Sequence, residues 1–371
     1  MIYLIVSFVL MLVALSRRKI YFYISFSIIS FYFSTHYAFG FDWINYYNTY
    51  IWSNELLVSP YEPGFFYLMK VFSSNNITFG MFYFFISIFN FICLFVFCNR
   101  MQHKSFAFFC IFSFFGFYLY GEQVRQGIAC SLLILGIALH DIKSKKIYFY
   151  IVLAAFFHVS ALFFLICKFL TSENKSNFKK KVNILTFFVL LMIVILLFPN
   201  VISFIPYIGP KISAYSASYN VSVVNLFVAL VLSKYTWLYL FMYVVLNFIL
   251  VKENDNKIYT SKLATYFLLL SKTTPVLLRF GYYLIPNLVI GIDDYMFRKT
   301  KLGKIYAYKT ILYLCILLTS SATMWNPTLL QATNIYLDIF DNNNIDLVMS
   351  QKCTIAYKAL YGQDLFPSCY K

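Results

Sequence analysis

Glu122, Arg125 and Gln126 stand together in "YGEQVRQGIACSLLILGIAL", at the mouth of a long apolar segment. A guanidinium is a planar fork of donors that matches phosphate oxygens, and a helix N-terminus beside it adds partial positive charge. The spacing therefore suits a phosphate-bearing ligand. The plain alternative for any charge at such an edge is an interface anchor, because Lys and Arg stems snorkel to the membrane surface. Arg125 fits that alternative poorly: it has a carboxylate neighbour and leads straight into a helix. Further groups able to do chemistry are Asp42 in "GFDWINYY", Glu62 in "YEPGFFYL", Lys211 in "YIGPKISAY" and Arg279 in "TPVLLRFGYY". His158 lies inside the apolar run "AAFFHVSALFF". An imidazole there is either a core histidine bonded to a neighbouring helix or a general base working near neutral pH.

The elements that must position these groups are membrane helices. The chain has 371 residues, of which 61% are hydrophobic and 12% charged. Its mean hydropathy is +0.73. A spanning helix needs about 20 mostly apolar residues, and many such runs are present. They are continuously apolar rather than alternating, which excludes a β-barrel. The net charge of +16 would suit nucleic acid, but the Lys and Arg sit in short loops between apolar runs, where they set orientation. No nucleic-acid partner is expected. The fold class is an all-α polytopic membrane protein with about 10 transmembrane helices.

Placing the basic clusters 17–19, 100–104, 143–146, 168–181, 252–262 and 298–304 on the cytoplasmic side threads the chain from an outer N-terminus. The opening segment, followed by "RRK", reads as a first span and not as a cleaved signal. Spans are expected at 2–16, 20–39, 77–98, 105–121, 126–142, 182–198, 235–251, 262–277, 280–296 and 305–323. Segment 147–170 is expected as a hairpin of two short helices broken near His158. Residues 1–323 then form one transmembrane domain with outer loops 40–76 and 199–234, and 324–371 form a periplasmic C-terminal tail. Cys353 and Cys369 lie in that tail, where an oxidising compartment can pair them; two cysteines alone do not specify a bridge.

This chemistry fits two classes. One is a membrane glycosyltransferase acting on a lipid diphosphate donor at the outer leaflet. The other is a transporter or flippase with a buried charged path. A transporter should show repeated halves. None is visible, and the polar groups gather on one side, which favours the enzyme.

At these residues the chain resembles the EpsG-like branch of the Wzy-type polysaccharide polymerases, the O-antigen polymerase class. The shared pattern is Gly40, Asp42 and Tyr46; Glu62, Pro63 and Gly64; Arg125 and Gln126; a Lys-rich turn; and Phe157, His158, Ser160 and Ala161. Arg279 and Tyr282 form a weaker later match, and Trp43 stands where the family often has Tyr. The resemblance implies a GT-C-like fold and polymerisation of oligosaccharide repeat units carried on undecaprenyl diphosphate. It also implies an inner-membrane location with the active site facing the periplasm. An O-antigen ligase is the nearest alternative. No cofactor and no metal are implied. The partners are the lipid-linked donor and acceptor, the bilayer and a chain-length regulator of the Wzz type. In this reading Arg125, Gln126, Arg279 and Lys211 hold the diphosphate. His158, Glu62 and Asp42 are the candidate bases, in that order. Glu122, Tyr46, Trp43 and Tyr282 orient the groups or contact sugar.

Overall fold

Helix faces that would be polar in a water-soluble protein are apolar here. Along the helix Lys19–Thr35, Phe22, Phe26, Ile29 and Phe33 are buried, while Ile24, Ile28 and Phe31 on the other side are exposed, Phe31 to 72%. The helix Phe178–Leu197 likewise exposes Phe187, Leu190, Leu191 and Val194. Positions spaced three and four apart share one helical face. A face this apolar is at home against lipid, and the protein is a membrane protein on that ground.

The computed structural model describes residues 1–16, 18–56, 59–140, 142–170, 178–202, 209, 213, 231–249, 256–300, 307–341 and 343–361. Lys211 and Cys369 fall outside these. The order is α1 (Ile2–Ser16), α2 (Lys19–Thr35), β1 (His36–Tyr37), α3 (Asp42–Trp52), α4 (Pro63–Ser74), α5 (Phe79–Arg100), α6 (Lys104–Phe115), α7 (Val124–Leu139) and α8 (Ile147–Phe157). Then come α9 (Phe164–Leu170), α10 (Phe178–Leu197), α11 (Lys234–Ile249), α12 (Asn256–Ser271), α13 (Pro275–Gly281), α14 (Ile285–Thr300) and α15 (Ala307–Ser321). The chain closes with α16 (Pro327–Thr333), β2 (Leu337–Asp338) and α17 (Ile345–Tyr361). Among the described residues, four helical stretches are long and apolar enough to cross a membrane: Phe79–Arg100, Lys104–Glu122, Phe178–Leu197 and Val276–Met296. Shorter apolar helices include Ile2–Ser16, Val124–Leu139 and Ile147–Phe157.

The chain divides into two units, Met1–Leu162 with Ser320–Lys371, and Phe163–Thr319. In the first unit α6 is the central element, buried from Ser105 to Ile111 without a break. It packs on α1, α2 and α5, and α7 packs on α5 and α8. After Phe115 the helix loosens into π-helical winding over Gly116–Glu122, which delivers Glu122 and then Arg125 to the end of the bundle. π-windings of this kind occur often at functional sites. Within 324–361, the strand β2 pairs with β1 of the same unit. His36 pairs with Asp338 and Tyr37 with Leu337 in an antiparallel two-stranded ladder. Cys353 on α17 is disulfide-bonded.

In the second unit α12 packs against α10, α11, α13 and α14. Ser261 donates to the carbonyls of Asn287 and Leu288 at 3.1 and 3.0 Å, and the Phe163 ring meets those of Phe267 and Phe280 at 5.1 and 5.0 Å, tilted in both contacts. The boundary expected between 277 and 280 lies earlier. α12 stops at Ser271, and Thr274 caps the next helix by accepting from the Leu277 amide at 3.2 Å, with Pro275 at the first helical position. Thr-Pro is a strong start signal, because the hydroxyl satisfies an orphan amide and proline needs none. Arg279 consequently sits one turn inside a helix.

Candidate functional site

Helix α3 begins where it does because of a side chain 80 residues away in sequence. The Glu122 carboxylate accepts from the amides of Phe41 at 2.6 Å and Asp42 at 3.3 Å. An anion on the first amides of a helix satisfies orphan donors and meets the positive end of the dipole. Gly40 has to be glycine, since a Cβ there would fall on the Glu122 carboxylate. From this start α3 turns Trp43, Tyr46 and Tyr50 inward, and Tyr50 donates to the Ile77 carbonyl at 2.7 Å. Trp43 is completely buried, so it orients the helix from within.

The Glu-Pro-Gly stretch builds the next wall. Glu62 is the N-cap of α4 with extended ψ of 146°, the region preferred before proline, and Pro63 occupies the first turn. A Cβ on Gly64 would come within 2.8 Å of the Phe156 carbonyl, so α4 and α8 touch backbone to backbone at this point. Glu62 lies two residues before that contact and His158 two residues after it. We expect Gly64→Ala to force the helices apart at a cost of about 1–3 kcal/mol. The check is a lower thermal midpoint in detergent, and an unchanged midpoint contradicts the close packing.

Arg125, in the first turn of α7, closes the site. Its Nη1 pairs with Glu62 Oε2, and its Nε donates weakly to Tyr46 Oη at 3.5 Å. The guanidinium carbon lies 4.5 Å from the Tyr61 ring centre and 5.6 Å from that of Tyr46. Thr49 donates to Tyr61 Oη at 3.4 Å, and the two tyrosine rings meet edge to face. Burial pushes both phenols up, although Arg125 pulls the other way. Tyr46 and Tyr61 therefore stay protonated and offer neutral π-faces to the cation. The side chains of Arg125 and Glu62 remain 17% and 10% exposed. The pair is held in a partly dry place with access from outside.

His158 stands at the break anticipated in the 147–170 segment. α8 ends at Phe157, His158 is extended, and a 3-10 turn follows over Val159–Phe163. Its amide donates to the Ala154 carbonyl and its carbonyl accepts from Ala161, both at 2.9 Å. Its Nδ1 lies 2.5 Å from Ser160 Oγ, which fixes the ring rotation.

The structure thus gathers Asp42, Tyr46, Glu62, Glu122 and Arg125 at one end of the first unit, with His158 beside the α4–α8 contact. Gln126 faces the interior and is completely buried. Arg279 and the buried Tyr282 belong to the second unit. Arg125 pairs with the Glu62 carboxylate, whereas the nearer Glu122 accepts from the amides at the start of α3.

The sequence profile of the EpsG family matches residues 19–337. The chain belongs to the EpsG family. No curated protein sequence and no solved structure matches it significantly. EpsG membership makes this a membrane protein of the polysaccharide-polymerase type. The match spans every residue of the cluster, from Asp42 to His158, and Arg279 as well. Three contributors escape the sequence pattern. Tyr61 adjoins Glu62 and is readable only as a neighbour. Thr49 lies one turn after Tyr46. Lys352, bonded to the Phe39 carbonyl, shows only as a single charge amid "LVMSQKCTIAY".

Proposed function

We propose that this EpsG-family protein is a GT-C-type glycosyltransferase that polymerises undecaprenyl-diphosphate-linked repeat units at the outer face of the cytoplasmic membrane. The observation that carries the reading is Arg125. It is backed by two tyrosine faces, stands at a helix N-terminus and already binds a carboxylate. Such a place stabilises an anion, and an arginine fork matches the two oxygens a diphosphate presents.

The donor sugar is activated by its diphosphate, so the protein has three tasks. It holds the leaving group, orients the acceptor hydroxyl and removes one proton. In the proposed step the acceptor oxygen loses its proton to His158 and bonds to the donor anomeric carbon. The anomeric bond to the diphosphate breaks, and the departing negative charge develops beside Arg125. Glu62 and Asp42 are the alternative bases. Arg279 and Lys211 are proposed as further cations for the diphosphate, and Tyr282 as a sugar contact. A chain-length regulator of the Wzz type is a proposed partner.

The test is incubation of purified protein with a synthetic repeat unit on undecaprenyl diphosphate. A product ladder supports polymerisation, transfer of a single unit supports a ligase, and no transfer contradicts both.

A periplasmic site is supported by the disulfide of Cys353, since disulfides persist in oxidising compartments. Lys352, the residue before Cys353 on the same helix, donates to the Phe39 carbonyl, three positions before Asp42 in sequence. In a background lacking the six free cysteines, Asn343→Cys is expected to react with an impermeant thiol reagent on whole cells, and Lys145→Cys to be protected. The reverse pattern overturns the orientation.

A further inference from the structure

Among the described residues, Lys352 is the most deeply buried cation. It lies in the middle of α17 with no exposed surface. Its ammonium donates to the carbonyls of Phe39 at 2.8 Å and Ala332 at 2.7 Å, and sits 5.9 Å from the Phe41 ring. Burial pulls this amine down to about 7, while the attraction of Glu122 opposes the shift. Buried charges are costly, and a helix of ordinary apolar residues would pack here without one. What the charge touches is a turn gripped from both ends. Lys352 holds the Phe39 carbonyl, and Glu122 holds the Phe41 and Asp42 amides. Between them Gly40 leaves room for the Glu122 carboxylate. Just before them Ala38 adopts φ of 65°, left-handed backbone that alanine enters only under constraint. Strain of this sort persists where the surroundings over-determine the conformation, and it gathers at functional sites.

We propose that Lys352 is a positioning residue for the site: with Glu122 it clamps the Phe39–Asp42 turn from two sides and thereby fixes where Asp42 presents its carboxylate beside Tyr46 and Arg125. The turn joins β1 to α3, and its opposite wall is the C-terminal segment. Residues 324–361 are therefore part of the platform of the site and not an appendage. The claim that this matters for catalysis rests on the polymerase reading; the clamp itself does not.

The test is Lys352→Met, which keeps the length of the stem and removes the charge. Amide hydrogen exchange of the peptide spanning 38–43 is measured in detergent, beside the ladder assay on the synthetic lipid-linked unit. Exchange is expected to rise about tenfold or more at 38–43, with α5 and α6 unchanged, because local opening is released without global unfolding. Extension should slow by about 10- to 100-fold in kcat, with KM for the lipid-linked unit held within about twofold, as misplacement of a group used in the transition state predicts. If the single variant does not accumulate, Glu122→Gln with Lys352→Met, neutral as a pair, is read in the same two ways. Unchanged exchange at 38–43, or an equal rise throughout the unit, overturns the clamp. A local rise in exchange with an unaltered ladder overturns the catalytic part. If the unmodified protein makes no ladder while the variant still shows the local rise, the polymerase reading fails and the clamp stands.

Discussion

Replacing Arg125 with lysine is expected to slow chain extension by roughly 30- to 1000-fold, as loss of about 2–4 kcal/mol of charge stabilisation in a dry site predicts. The charge is conserved in this substitution, so the geometry of the guanidinium is what it tests. Arg125 meets Glu62 through one nitrogen and Tyr46 through another, and its guanidinium carbon lies 4.5 Å from the Tyr61 ring centre. An ammonium is a compact point charge. It cannot keep the ring contacts and also present a fork to two phosphate oxygens. Lysine is a sharper choice than alanine, because alanine would leave Glu62, only 10% exposed, without a counter-charge and confound rate with folding. Arg279→Lys is expected to act in the same direction. The measurement is the polymer ladder at matched protein levels, and full ladders from Arg125→Lys would remove the diphosphate role.

His158→Ala is expected to have the largest effect, about 10²- to 10⁴-fold on kcat, the range typical of a general base. Binding of a labelled lipid diphosphate should be nearly unchanged, since a base acts mainly in the transition state. The structure sharpens the comparison with Glu62. That carboxylate is already paired with Arg125, so taking a proton would cost a buried ion pair. The His158 Nδ1 is held by Ser160 at 2.5 Å, and the residue lies where α8 ends. Ser160→Ala should therefore retain most activity while broadening the ring orientation. If His158→Ala still polymerises and Glu62→Gln is inactive with binding retained, the base is Glu62 and the histidine is structural.

Much of this site is legible along the chain, and the rest is not, for one physical reason. Periodicity and composition report what a residue does within its own element. They give the apolar helices, the helix that starts beside Arg125 and the interruption at His158. Pairings between elements have no such signature. Arg125 lies three residues from Glu122 in sequence, yet it pairs with Glu62, 63 positions away. The carboxylate that sits nearer in sequence is drawn instead to the bare amides of α3, because the π-helical turn points it there. Lys352 is 313 residues from the carbonyl it holds. Even the Thr274-Pro275 start was within reach of sequence rules, but the continuous apolar run around it hid where one helix ended.

The Glu62–Arg125 pair has a consequence for turnover. An arginine that cradles a diphosphate during transfer would also retain the spent carrier, and release of a tightly held product often limits an enzyme. In that reading the protein would supply its own competitor: each time the carrier loosened, a tethered carboxylate would be at hand to take its place at high effective concentration. The arginine can then be strong in the reaction and still let go after it. Glu62→Gln, beyond any part in proton transfer, should leave the spent lipid diphosphate bound for longer, a delay that a labelled-carrier chase reads directly.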